Sequence, residues 1–208
     1  MMSTHPQTPP CDGILLAAGA GRRLGLPKAL LELQDIWMLP RLVSAMQLGG
    51  CERVVVVVRE EHLGVIDARG GCGAEVLLSN PNPETGRTGS IHCGLEALES
   101  DRAAMIHSCD IPLLSAEAVL QLRHDWGQLE KPQEAVARLM TPGGKGGHPL
   151  LLGAKVVPEV RALSPETPLR QILRADQDRL LNVIRRGDPG PFMDVDTREQ
   201  LKLLESLL

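Results

Sequence analysis

The sequence predicts a single-domain, three-layer α/β/α fold around a mostly parallel sheet, and three observations predict it. The wholly apolar runs GILLAA at 13–18 and VVVVV at 54–58 suit strands buried on both faces. Such runs alternate with stretches of helical apolar spacing through the first two thirds of the chain, the pattern of parallel strands joined by right-handed crossovers. With 208 residues, 43% of them hydrophobic, the chain can fill one core of that kind.

Each element follows in order. Residues 1–12 carry no apolar signal core and read as a flexible leader, with the domain proper over 13–208. The first strand, 13–18, halts at glycines. Residues 40–48 have helical spacing and stop at Gly49 and Gly50. The β-branched run 53–58 is the plainest strand. A helix over 61–68 and a short strand over 75–78 come next, then a helix over 90–99 and a strand over 103–107 that ends in CDIP. Ser115 caps a helix over 116–129. A strand over 135–140 leads into the glycine-rich loop 141–147, TPGGKGG, and a further strand over 148–152. Helices over 156–163 and 169–175, a strand over 180–184 and a closing helix over 197–208 complete the chain. Ligands of such sheets bind at the carboxyl ends of the strands, so the motifs of interest belong there.

Bulk composition excludes several functions. The net charge of −4 and the lack of a long basic run argue against a nucleic-acid partner. No apolar run is long enough to cross a membrane. Cys11, Cys51, Cys72, Cys93 and Cys109 have neither zinc nor redox spacing, and an odd count without an export signal reads as reduced thiols in the cytoplasm. The aromatics are Trp37, Trp126 and Phe192, so a bound base must be held by backbone, amides and aliphatic packing rather than by ring stacking.

After the first strand runs Gly19-Ala20-Gly21-Arg22-Arg23-Leu24-Gly25-Leu26-Pro27-Lys28. Small residues let backbone amides approach a ligand, and the following cations suit a polyphosphate. The dinucleotide fingerprint fails, because its third glycine comes one position late. The P-loop fails too, because Leu26 and Pro27 separate the last glycine from Lys28 and Ala29 follows. A plain strand-to-helix turn with surface arginines remains open on the glycines alone.

The full string Leu16-Ala17-Ala18-Gly19, then Gly21-x-Arg23, Gly25 and Pro27-Lys28, resembles the signature of nucleotidyltransferases with the Rossmann-like nucleotide-diphospho-sugar transferase fold. Within them it is similar to the molybdopterin nucleotidyltransferase (MobA-like NTP transferase) family. The resemblance covers nearly the whole chain, from Gly13 to Leu201. It implies transfer of a nucleotidyl group from an NTP to the phosphate of molybdopterin, with release of pyrophosphate. Guanylyltransferase members usually carry a second glycine where this chain has Ala18, which tilts the implied nucleotide to CTP and the transferred group to CMP. Leu16, Ala17, Ala18, Gly19 and Gly21 are then implied nucleotide contacts, with Arg23 and Lys28 on the triphosphate.

Further motifs join this frame. Asp110, in Ser108-Cys109-Asp110-Ile111-Pro112, stands at the end of a strand, where it can hold a metal or merely start a turn. Alternation in Met193-Asp194-Val195-Asp196-Thr197 puts Asp194 and Asp196 on one face of a strand, although Asp196 could equally cap the closing helix. The resemblance makes Asp110 and Asp196 ligands of Mg²⁺, with Asp194 next and Mn²⁺ as the alternative ion. Asn80, Gly86 and Ser90 keep the family's spacing for the base site, with Ser90 at a helix N-terminus. Gly147 and His148, in a Gly-His-Pro turn, and Arg170 are implied to face the acceptor. His62, His92, His107 and His124 show no ligand spacing and read as structural. The rivals are a nucleotidyltransferase acting on a sugar phosphate or methylerythritol phosphate, and a non-catalytic chaperone that carries molybdopterin or a nucleotide. A molybdoenzyme or its chaperone is the partner a molybdopterin enzyme implies.

Overall fold

The computed structural model describes residues 8–99 and 101–206. Positions 1–7 of the expected leader and 207–208 of the expected closing helix lie outside the described residues. Strand β1 (Cys11–Leu16) begins two residues earlier than the sequence suggests, so Cys11 and Asp12 belong to the sheet. After the glycine loop comes a hairpin not expected from the sequence, β2 (Glu32–Leu33) and β3 (Ile36–Trp37). Its two-residue strands are too short to show alternation. Its turn is built by Gln34 and Asp35, both at positive φ, which matches the twist of a tight hairpin.

Helix α1 (Met38–Leu48) buries Leu39, Leu42, Val43 and Met46 along one stripe and stops at Gly49. Then follow β4 (Val54–Val58), α2 (Glu60–Ala68), β5 (Val76–Ser79), α3 (Gly86–Leu98) and β6 (Ala103–Ser108). Helix α4 (Ala116–Gly127) is capped by Ser115, whose Oγ accepts from the Ala118 amide at 3.2 Å. The remaining elements are β7 (Val136–Met140), β8 (Gly146–Leu152), α5 (Val157–Arg161), α6 (Arg170–Ala175), β9 (Leu180–Ile184) and α7 (Arg198–Glu205). Gly146 and Gly147 are therefore strand residues and not, as expected, the end of a loop: β8 starts at Gly146, which pairs with Met140 of β7.

The sheet has the order β5-β4-β1-β6-β8-β7-β9. Strand β8 runs antiparallel to its neighbours β6 and β7, and every other pairing is parallel. Strand β4 shows why the sheet is sandwiched. Val54, Val56 and Val58 face the layer of α1, α2 and α4, whereas Val55 and Val57 face α3, α5 and α6. All five are fully buried, each contributing about 1.5–3 kcal/mol relative to exposure. Helix α3 lies so close to β1 that a Cβ at Gly94 would meet Ile14 Cγ2 at 2.6 Å.

A third, smaller cluster decides the site. Leu24 of the glycine loop, Leu31, Leu33, Met38, Val195 and Leu204 pack together. This cluster ties the loop after β1 to the segment before α7. A capping box fixes that segment, with the Thr197 side chain accepting from the Gln200 amide and the Gln200 side chain accepting from the Thr197 amide. Among the described residues no helix is long and apolar enough to cross a membrane. The five cysteines are all free thiols.

Candidate active site

The glycine loop turns sharply at Gly21, whose φ is 58°, and a Cβ there would lie 1.9 Å from the Leu26 carbonyl oxygen. Only glycine fits that approach. The turn closes with the Gly25 amide donating to the Gly21 carbonyl at 2.8 Å, and the buried Leu24 anchors it from below. The chain is thereby returned so that Lys28 points over the carboxyl ends of β1 and β6.

There Lys28 Nζ donates to Asp110 Oδ2 at 3.0 Å and to Asp196 Oδ1. Arg23 Nη2 donates to Asp196 Oδ2 at 3.0 Å and is otherwise open to solvent. The two carboxylates come from distant parts of the chain. They are held together by the Val195 amide, which donates to the Asp110 carbonyl at 2.7 Å, and by burial of the Val195 side chain. Burial works against charge on both Lys28 and Asp110. The ion pair overcomes it: Asp196 and Asp110 raise the Lys28 ammonium above its ordinary value, and Ser108, Lys28 and Arg87 hold the Asp110 carboxyl below its own. Both groups are charged at neutral pH. Asp110 Oδ1 is buried without a hydrogen-bond partner, an acceptor left for a ligand or cation.

These residues rim a cavity of about 360 Å³ that Leu16, Ala18, Gly19, Gly86 and Ser90 also line. A second cavity, of about 490 Å³, opens beside it and shares Gly86 and Arg87. Gly147, His148 and Arg170 line the second one. The sequence-derived residues thus fall into two neighbouring spaces, with Arg87 at the junction and its Nη2 3.8 Å from Asp110 Oδ2.

Several expected residues are placed differently. Ala17 and Gly21 support the first cavity without lining it. Asn80 is buried, and both ends of its amide are engaged, by the Ser90 hydroxyl at 3.0 Å and the Asn82 amide at 2.8 Å. Ser90 is the fifth residue of α3 and not its N-terminus, because the helix already starts at Gly86. Asp194 and Asp196 do not share a strand face. Residues 193–196 are irregular, Val195 is drawn into the core, and Asp194 is left exposed outside the cavity. His107, read as structural, is fully buried with its ring 5.8 Å from that of His148. Arg87 and Arg138 line the second cavity and had no sequence signature; Thr167, from the same Thr-Pro-Leu-Arg string as Arg170, lines it too.

The comparisons with known proteins agree with this architecture. The model of the MobA-like NTP transferase domain matches residues 13–180. Nicotine blue oxidoreductase of Paenarthrobacter nicotinovorans is 32% identical over 198 residues, covering 92% of this chain and 95% of that protein. A probable molybdenum cofactor guanylyltransferase of Chloroflexus aggregans is 27% identical over 216 residues, covering 95% of this chain and 94% of the relative. A solved nucleotidyl transferase of Methanothermobacter thermautotrophicus superposes with a TM-score of 0.75 at 20% identity, over 95% of this chain and 96% of the other, and so shares the fold. Because the family match takes in most of the chain, from the first strand of the sheet to the start of its last, the chain belongs to the MobA-like NTP transferase domain family and is a nucleotidyltransferase.

Proposed function

We propose that this chain, as one domain from Gly13 onward, transfers CMP from CTP to the phosphate of a molybdopterin-type acceptor and releases pyrophosphate. The observation that carries the reading is the Lys28 ammonium held between Asp110 and Asp196 at the mouth of a glycine-lined cavity, beside a second cavity of substrate size. In this reading the first cavity takes the nucleotide and the second the acceptor. An acceptor phosphate oxygen attacks the α-phosphorus, and the bond to the β-phosphate oxygen breaks. A phosphate monoester has its second pKa near about 6, so the attacking oxygen is already ionised and no general base is needed. Lys28 and Arg23 neutralise the triphosphate, and the loop amides orient it. Arg87 stands where the two phosphates meet.

Asp110 and Asp196 suit a hard divalent cation, Mg²⁺ or alternatively Mn²⁺, with substrate phosphates completing its oxygen shell. The unpartnered Asp110 Oδ1 fits that assignment. When bound, the ion supplies charge neutralisation of the departing pyrophosphate. The preference for CTP rests on Ala18, which lines the first cavity and whose carbonyl accepts from Arg59 Nε at 3.0 Å.

The relative named nicotine blue oxidoreductase favours a second reading, a redox reaction on the same scaffold. Against it stands the paired-carboxylate lysine, a device for phosphate charge. Release of pyrophosphate from CTP, GTP, UTP and ATP with molybdopterin present separates the readings. Release with CTP above the other three is expected. Release with none of them, together with oxidoreductase activity on nicotine blue, replaces nucleotidyl transfer with the redox reading.

A further inference from the structure

Arg138 is the unexplained charge of the second cavity. It lies on β7, half-buried, and lines the cavity together with Ile106, Leu150 and Leu173. No carboxylate lies within ion-pair distance of it among the described residues. Among the described residues, the only hydrogen bond its side chain donates is from Nε to Asn182 Oδ1 at 2.8 Å. A guanidinium partly withdrawn from water without a counter-charge is unfavourable unless something anionic arrives to meet it.

The surroundings are built to keep it there. Asn182 is its direct register partner on β9. The pairing of β7 with β8 shifts register between Arg138 and Met140, an irregularity that re-aims side chains in sheets. Across that irregularity Gly146 leaves room for the guanidinium, since a Cβ there would lie 2.6 Å from Arg138 Nη1. The cavity's charged lining is otherwise Arg87 at the nucleotide end, the exposed Arg170, and Glu166, which takes the Ser164 hydroxyl. The lining is net cationic.

We infer that Arg138 is an anion-recognition residue at the end of this cavity away from the transferred phosphate, so that the acceptor carries a second negative group. The inference rests on the second cavity being the acceptor site. It identifies the substrate class as a small organophosphate with two separated anionic groups: Arg87 takes the reacting phosphate and Arg138 the other. Planar bidentate donation by arginine suits a carboxylate, a phosphate or another flat-faced anion.

The test is calorimetric binding of two probes, a hexose 1,6-bisphosphate and the matching hexose 6-phosphate, to the wild-type protein, Arg138→Gln and Arg138→Lys. Wild type is expected to bind the bisphosphate at least about tenfold more tightly, the scale of one charge-assisted hydrogen bond. Arg138→Gln is expected to bring the ratio near one, and Arg138→Lys to restore part of it. An equal ratio in wild type, or an unchanged ratio in Arg138→Gln, overturns the inference. A wild-type ratio near one overturns the inference even if a variant fails to fold, and Arg138→Lys keeps the assignment to Arg138 testable if Arg138→Gln does. Because the readout is binding, it stands apart from whether pyrophosphate is released, so the two readings fail separately.

Discussion

His107 and His148 sit in neighbouring strands under the two cavities, and their burial has a measurable consequence. Burial lowers the His107 pKa to about 3, with the charge of His148 as the next cause. Burial likewise lowers that of His148 to about 4, helped by Arg87. The Nδ1 atoms of both rings are buried and unpartnered, so neither has an acceptor to stabilise a second proton. In the unfolded chain both titrate near about 6.5. The unfolded state therefore binds more protons below that pH, and the stability is fully present above pH 6.5 and is lost as pH falls toward 4 and then 3. Each histidine contributes a slope of up to about 1.4 kcal/mol per pH unit in that window. Urea unfolding should show the protein weaker by about 3 kcal/mol at pH 5.5 than at pH 7.5, and His148→Gln should remove about half of that loss. A flat profile would contradict the neutral, buried assignment. At this scale the legible residues were those with a local signature: Lys28 after its proline, Asp110 before Ile-Pro, Asp196 before a capping threonine. Arg87 and Arg138 were not legible, because a lone arginine in a sequence carries no sign of whether a carboxylate will meet it.

Elements were read more easily than their ends. Strand β9 has the expected bounds, and β4 and β7 differ from expectation by one residue; for β4 the reason is plain, because a wholly β-branched apolar run suits only a buried sheet. Helix α3 began four residues early, at Gly86, since glycines and threonine hide a helical start that tertiary packing enforces. The segment before α7 was misread for a different reason. Alternation in Met-Asp-Val-Asp looks like a strand, yet the Val195 amide is claimed by the Asp110 carbonyl and its side chain by the third cluster. One aspartate is thereby turned to Lys28 and the other to solvent. Asp196→Asn should lower nucleotidyl transfer by about two orders of magnitude, the usual effect of removing a preorganised charge at the reacting centre. Asp194→Asn should leave the rate within about twofold and the stability within ±0.5 kcal/mol, as for surface changes elsewhere. Equal rate losses in the two variants would refute the orientation of this segment.

For the molecule as a whole, the layered architecture was legible because alternating strand and helix patterns admit few topologies. The antiparallel entry of β8 was not, since pairing direction is set by the connections of β6, β7 and β9 and by no residue in β8 itself. That reversal puts Gly147 and His148 beside the glycine loop's cavity and so creates two adjoining spaces from one sheet edge. The central claim is that the first space works as a phosphate site through Lys28. The direct measurement is pyrophosphate release from CTP with molybdopterin, comparing wild type with Lys28→Gln, whose amide still donates to the carboxylates. The variant should stay folded, with a stability loss on the order of 1–3 kcal/mol from the broken ion pair. Its turnover should fall by about 10²–10³. A Lys28→Gln enzyme that releases pyrophosphate at the wild-type rate would contradict the account.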